Sequence, residues 1–263
     1  MAFGDGLLLF YAELCRRYDL GGRCLVLGRQ DVQMTFDMMC TLMLRAGFYI
    51  KLGDDEVRVP PALAALYHSG RHLSQKPGLR ERDFVSDKAL FAALGFLSCH
   101  SVDVSAYEDA DFIHDLNRPG LAAAVGGQYD TVIDPGTLEH VFDLGAALEN
   151  VFDVLAPGGI VVHNLPLGNR IDHGFYQFSP DFMMSYYEAN EFEILGSLVS
   201  RMFPNPGAQN MVTLDYFPGA LDAKSDGGMD SGLYNVDLIA RRTERSSKGR
   251  YRVPETLAAG SAP

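Results

Sequence analysis

Near the start of the chain, Leu7, Leu8, Tyr11, Leu14 and Cys15 recur at offsets of three and four. That spacing lays one apolar stripe along a helix over 7–18, which the Gly21-Gly22 pair ends. The period then changes. RCLVLG, residues 23–28, is a short apolar run behind paired glycines and reads as a strand, and residues 31–46 return to helical spacing. Strand, tight turn and helix in this order open a βαβ fold.

The alternation continues downstream. Helices are expected over 87–94, 138–155 and 180–190, and strands over 97–104, 112–116, 129–134, 160–165, 192–202, 211–217 and 233–241. Pro157-Gly158-Gly159 is expected to turn the chain into the 160–165 strand. The strands are apolar runs rather than alternating ones, as in a mainly parallel sheet covered by helices on both faces. The fold class is therefore α/β and Rossmann-like, with ligands expected beyond the carboxyl ends of the strands. Between the first and second strands, residues 47–83 exceed the dozen or so that a crossover needs. They read as an insertion with a short helix at 62–67, serving as a lid, a substrate-selecting cap or the arm of a homodimer. One domain over 1–245 holds all of this, followed by a flexible tail over 246–263.

Composition narrows the partners. With 47% hydrophobic and 21% charged residues, the 263-residue chain has ordinary globular usage. Its 22 basic against 34 acidic residues give a formal charge of −12, which argues against nucleic acid. Cys15, Cys24, Cys40 and Cys99 form no C-x-x-C and fit reduced thiols in a cytoplasmic protein. The N-terminus lacks the basic start and unbroken apolar core of a signal peptide, and no apolar run approaches the roughly 20 residues of a membrane span. The expected partner is a small-molecule substrate, with no membrane and no nucleic acid.

The first turn, LGRQD at 27–31, holds one glycine where a dinucleotide fingerprint needs three, and no Tyr-x-x-x-Lys occurs. A nicotinamide cofactor is thereby disfavoured. SVDVSAYEDADFIHDLNRP, 101–119, puts Asp103 at the end of one strand and Asp115 at the end of the next, facing one crevice. A carboxylate so placed accepts hydrogen bonds from the hydroxyls of a ribose, and a second accepts from an adenine amino group. Either could instead cap a turn.

VDVS, HDLN, YDTVIDPGTLEHVFD and VLAPGGIVVHNLP, in this order and spacing, resemble the motifs that follow the first strand in class I S-adenosylmethionine-dependent methyltransferases. The match covers 22–31 and 94–166, about a third of the chain. The resemblance implies S-adenosyl-L-methionine as cofactor. It implies that Gly28, Arg29 and Gln30 lie beside the methionine moiety in place of a glycine-rich loop. Asp103, with Val104, would hold the ribose. Asp115, Leu116 and Asn117 would border adenine, and Asp134, Pro135 and Gly136 would sit near the sulfonium. The Glu139-His140 pair would border the reaction pocket.

Physical chemistry points the same way, because a crevice lined by Asp103, Asp115, Asp134 and Glu139 suits a ligand carrying a sulfonium and an ammonium. The methyl group arrives activated, so the protein must align the nucleophile and supply a base where the attacking atom holds a proton. His140 and His173 are the catalytic candidates. The loop DHGFYQFSP, 172–180, has polar tips and aromatic walls, and Tyr176 and Gln177 join Glu139 as candidate substrate-binding residues. His68 and His72 stand four apart, but Gly70 intervenes and no acidic third ligand is evident, so no metal site is expected. His100, His114 and His163 read as ordinary sheet histidines. The expected activity is methyl transfer to oxygen or nitrogen of a small polar acceptor: a sugar, a glycan precursor or a specialised metabolite. The altered glycine loop also fits a catalytically inactive partner or scaffold protein of the same fold.

Overall fold

Residues Arg23–Leu27 form the first strand (β1) of the main sheet, buried on both sides: Cys24 and Val26 pack into one helical layer, Leu25 and Leu27 into the other. Each such side chain taken fully from water contributes roughly 1.5–3 kcal/mol, so an apolar run with no polar face is what a doubly covered strand requires. The computed structural model describes residues 2–48, 50–51, 57–203, 210–225 and 227–252.

The further strands of the sheet are β2 (Ser98–Asp103), β3 (Phe112–Ile113), β4 (Tyr129–Asp134), β5 (Leu155–Gly168), β6 (Glu193–Phe203), β7 (Asn210–Asp215) and β8 (Leu233–Arg241). Their spatial order is β7-β6-β8-β5-β4-β1-β2-β3. β1 to β5 pair in parallel, while β8 runs antiparallel between β5 and β6, and β7 runs antiparallel to β6. The sheet is thus mainly parallel and Rossmann-like. Helices α1 (Asp5–Tyr18), α2 (Phe36–Arg45), α3 (Pro61–His68) and α4 (Asp87–Ala93) cover one face; α5 (Leu144–Val154) and α6 (Pro180–Ala189) cover the other. The chain leaves β1 outward through β2 and β3, then returns to the opposite side at β4. The carboxyl ends of β1 and β4 therefore flank the point where strand order reverses, the usual place for a ligand crevice in an open α/β sheet.

Several expected boundaries move for local reasons. The helix expected over 31–46 starts at Phe36, because Asp31–Val32 pairs in parallel with Ala2–Phe3, and Thr35 caps the helix by accepting from Met38 N at 3.3 Å. The helix expected over 138–155 is split into a 3₁₀ turn, Leu138–His140, and α5. Asp143 caps α5 by accepting from Ala146 N at 3.0 Å. Pro157-Gly158-Gly159 does not precede a strand but lies within β5: the register slips from Tyr129↔Leu155 to Thr131↔Ile160, and Gly158 takes φ +80°. This is a bulge rather than a turn.

The segment beyond 246, expected as a flexible tail, makes contacts with the domain as far as Arg252. Ser247 N donates to Asn190 O at 2.9 Å, Lys248 reaches Asp153 at 2.7 Å, and Arg252 pairs with Glu188 at 2.8 Å. Residues 253–263 of that expected tail lie outside the described residues. In the insertion, α3 packs on α4, and Lys76 bridges Asp31 at 2.7 Å and Glu108 at 2.6 Å.

Candidate functional site

The carboxyl ends of β1, β2 and β4 open onto a crevice of about 440 Å³. Its turn is made by one glycine. Gly28 takes φ +73°, and a Cβ there would stand 2.8 Å from Thr137 Oγ1, so any side chain would be strained and would have to displace Thr137. Gly28 N donates to Val102 O at 2.8 Å, and Thr137 Oγ1 donates to Leu27 O at 2.7 Å, tying the three strand ends together.

Arg29 and Gln30 line the crevice as well, yet the Arg29 side chain turns inward. Its Nε forms an ion pair with Asp87 Oδ2 at 2.8 Å, and Nη1 donates to Asp109 O at 2.6 Å. Gln30 N donates to the same Asp87 oxygen at 3.2 Å. Asp87 opens α4, behind Ser86, which caps the helix by accepting from Ala89 N at 3.2 Å. Burial pushes the Asp87 carboxyl above its ordinary range against the opposing pull of Arg29.

Asp103 and Asp115 face this one crevice, in company with Val104, Leu116, Asn117 and Gly136. Asp103 Oδ1 accepts from Ser105 N at 3.3 Å. Asp115 Oδ1 accepts from Asn117 Nδ2 at 2.7 Å and Asn117 N at 3.0 Å, which holds its carboxyl below the usual range. Asp134 and Pro135 do not line the crevice; both are buried beneath it. Asp134 Oδ1 accepts from Thr137 N at 2.9 Å, and its Oδ2 lies 2.8 Å from His163 Nδ1. The His163 Nε2 in turn lies 2.6 Å from Tyr187 Oη. Asp134 therefore holds up the turn that carries Gly136 and Thr137, and His163 is a satisfied core histidine.

Val102, Glu108, Thr137 and Val141 also line the crevice without having been singled out from sequence, and His114, expected as a sheet histidine, lies just past β3 and lines it too. Thr137 stands inside the DPGTLEH motif and was the one with a readable signal. Glu108 carries none, since Lys76 of the insertion is what holds it.

His140 lines the crevice and begins a second cluster. Glu139 is fully buried, with Oε1 4.0 Å from His140 Nε2 and 3.5 Å from His173 Nε2. The two imidazole centroids stand 5.1 Å apart. Neither Glu139 carboxylate oxygen has a hydrogen-bond partner among the described residues. Burial, helped by the charge of Asp134, pushes the Glu139 carboxyl up to about 7, and burial lowers both histidines.

The loop carrying His173 is pinned to the same residue. Phe175 N and Tyr176 N donate to Glu139 O at 2.7 and 3.3 Å, and a Cβ on Gly174 would stand 2.7 Å from that oxygen. Tyr176 Oη donates to Phe142 O at 2.7 Å, while exposed Phe142 and Phe175 meet edge to face at 5.6 Å. Gln177 turns elsewhere: it accepts from Arg170 N at 3.1 Å and lines a separate cavity of about 530 Å³ with Tyr216 and Tyr234. The structure thus brings Glu139, His140, His173 and Tyr176 together beside the crevice and leaves Gln177 out.

No family model and no curated protein matches the chain. Among solved structures it is similar to the 1,6-didemethyltoxoflavin-N1-methyltransferase of Burkholderia thailandensis with bound 1,6-didemethyltoxoflavin and S-adenosylhomocysteine. Identity is 20%, coverage 70% of this chain and 77% of that one, and the TM-score 0.38. It is also similar to a SAM-dependent methyltransferase, possible histamine N-methyltransferase, from Thermotoga maritima: 11% identity, 90% and 92% coverage, TM-score 0.35. TehB from Haemophilus influenzae shares 12% identity over 59% of this chain, at a TM-score of 0.38, and the match spans 55% of TehB.

Proposed function

We propose that the chain is an S-adenosylmethionine-dependent methyltransferase acting on oxygen or nitrogen of a small polar acceptor, a sugar, glycan precursor or specialised metabolite. The observation that carries this reading is the convergence of Asp103 and Asp115 on one open crevice where strand order reverses. In this reading Asp103, beside Val104, accepts from the ribose hydroxyls, and Asp115, Leu116 and Asn117 border adenine. Gly28, Arg29, Gln30 and Gly136 flank the methionine end, with Asp134 and Pro135 supporting them from beneath.

When bound, the cofactor supplies an activated methyl group; the chain's task is to align the acceptor with it and to deal with the acceptor's proton. Glu139, His140, His173 and Tyr176 form the end of the site where both happen. Gln177 faces its own cavity and stays outside this assignment. Free thiols at Cys15, Cys24, Cys40 and Cys99 fit a reducing cytoplasm; among the described residues no helix is long and apolar enough to cross a membrane.

The scaffold reading rests on the altered glycine loop, and the open crevice behind an intact Gly28 turn weighs against it. Calorimetry with S-adenosylhomocysteine is the test. Binding is expected; no heat at millimolar ligand with folded protein would sink the proposal. Binding without turnover across an acceptor library would favour the scaffold.

A further inference from the structure

We propose that Glu139, His140 and His173 bind a divalent first-row transition-metal ion beside the crevice, and that this ion holds the oxygen of the acceptor. The second half rests on the methyl-transfer reading; the first does not.

Two imidazole nitrogens and one carboxylate oxygen lie within 4.8 Å of one another. Ligand atoms about 2.1 Å from a tetrahedral zinc stand about 3.4 Å apart. Glu139 Oε1 and His173 Nε2, at 3.5 Å, already meet that distance, and half-exposed His140, at 4.0 Å, reaches it by a small rotation. Three protein ligands leave an ion with at least one open position.

An independent observation calls for a cation. Glu139 is buried, and neither of its oxygens has a hydrogen-bond partner among the described residues; a buried carboxylate left so is costly. Arg170, whose charge acts on Glu139, directs its Nη2 to Asn235 Oδ1 at 3.4 Å instead. The ligands are also held in place before any ion arrives. Glu139 and His140 share one 3₁₀ turn, and the loop of His173 is fixed to the Glu139 carbonyl through Phe175 and packed on it through Gly174. A donor set of two imidazoles and a carboxylate favours zinc, manganese, iron or cobalt over magnesium or calcium.

A hydroxyl oxygen bound to such an ion loses its proton to solvent more readily. Its lone pair then forms the bond to the methyl carbon as the carbon–sulfur bond breaks, that electron pair staying on sulfur, to leave a methyl ether and S-adenosylhomocysteine. His140 and His173 act here as ligands rather than as bases, and the acceptor is an alcohol or phenol rather than an amine.

Cobalt(II) titration of the chelator-stripped full chain, followed by visible absorption, tests the site. One equivalent is expected to saturate the bands. Glu139→Gln should abolish them, and His173→Ala, at a half-exposed position, should weaken binding at least tenfold, both variants remaining folded by circular dichroism. Absence of bands at millimolar cobalt, or bands undiminished in both variants, overturns the proposal. Calorimetry with S-adenosylhomocysteine on the same samples separates the two readings. If it binds where cobalt does not, the metal site falls and the methyltransferase reading stands. If cobalt binds and S-adenosylhomocysteine does not, the ion's role in methyl transfer falls.

Discussion

The guanidinium of Arg29 lies 2.8 Å from the carboxylate of Asp87, with both side chains almost withdrawn from solvent. This pair converts the first loop from bare backbone into a wall built on α4. Removing one member strands the other's charge, which costs about 3–5 kcal/mol, whereas an apolar replacement of both is often near neutral. Asp87→Ala should therefore lower stability by that amount in urea unfolding, and the double variant Arg29→Met, Asp87→Leu should recover much of it. Equal losses in the two variants would show that the pair is not coupled.

Gly28 and Gly126 take nearly the same positive φ, +73° and +70°, but only Gly28 has a neighbour within contact of an added Cβ. Alanine at either site meets the left-handed backbone cost of roughly 1–2 kcal/mol. At Gly28 it must also displace Thr137, whose hydroxyl binds Leu27 O. Gly28→Ala is expected to melt lower than Gly126→Ala and to weaken S-adenosylhomocysteine binding, while Gly126→Ala leaves that affinity unchanged.

How far the sequence could be read depended on whether the deciding contact was local. The strand at 233–241 lies where its apolar run put it, and β1 earns its continuous apolar character from two helical layers. Asp103 was legible because it closes β2 directly after buried Ser101 and Val102, whereas Asp115 lies two residues past the short edge strand β3 and reaches the crevice from the loop that follows it. Asp134 ends a strand as Asp103 does, yet it faces the core, since its register partner on β5 is His163. That pairing is a tertiary fact with no trace in either motif. The same holds for Arg29, whose partner lies beyond the insertion, and for the break between His140 and Leu144, where the Asp143 amide donates to distant Asn117 and the Asp143 carboxylate caps α5. Glu139 was expected to face a substrate; that it meets His173 depends on a loop folded back across the strand ends.

Asp103 carries the cofactor reading, and its carboxylate has a 3.3 Å bond to a neighbouring amide, so truncation should cost the fold little. Asp103→Ala is expected to lose about 1.5–3 kcal/mol of S-adenosylhomocysteine binding, as for charged hydrogen bonds, with melting nearly unchanged. His173→Ala should spare that binding. Calorimetry showing unaltered affinity in Asp103→Ala would remove the ribose assignment.

Asp237 sits in the middle of β8, in register with Asn164, whose amide donates to it. It is fully buried, and burial pushes its carboxyl from an ordinary 3.8 up to about 7. The folded state therefore keeps a proton that the unfolded chain releases. The stability this contributes is complete below pH 3.8 and is lost as pH rises through about 7. At about 1.4 kcal/mol per pH unit, the window spans up to roughly 4 kcal/mol. Asp237→Asn, which keeps an acceptor for Asn164 and cannot ionise, should show a shallower fall in unfolding free energy across this window and be the more stable protein at pH 8. Parallel stability curves for the two proteins between pH 4 and 8 would show that Asp237 does not titrate there.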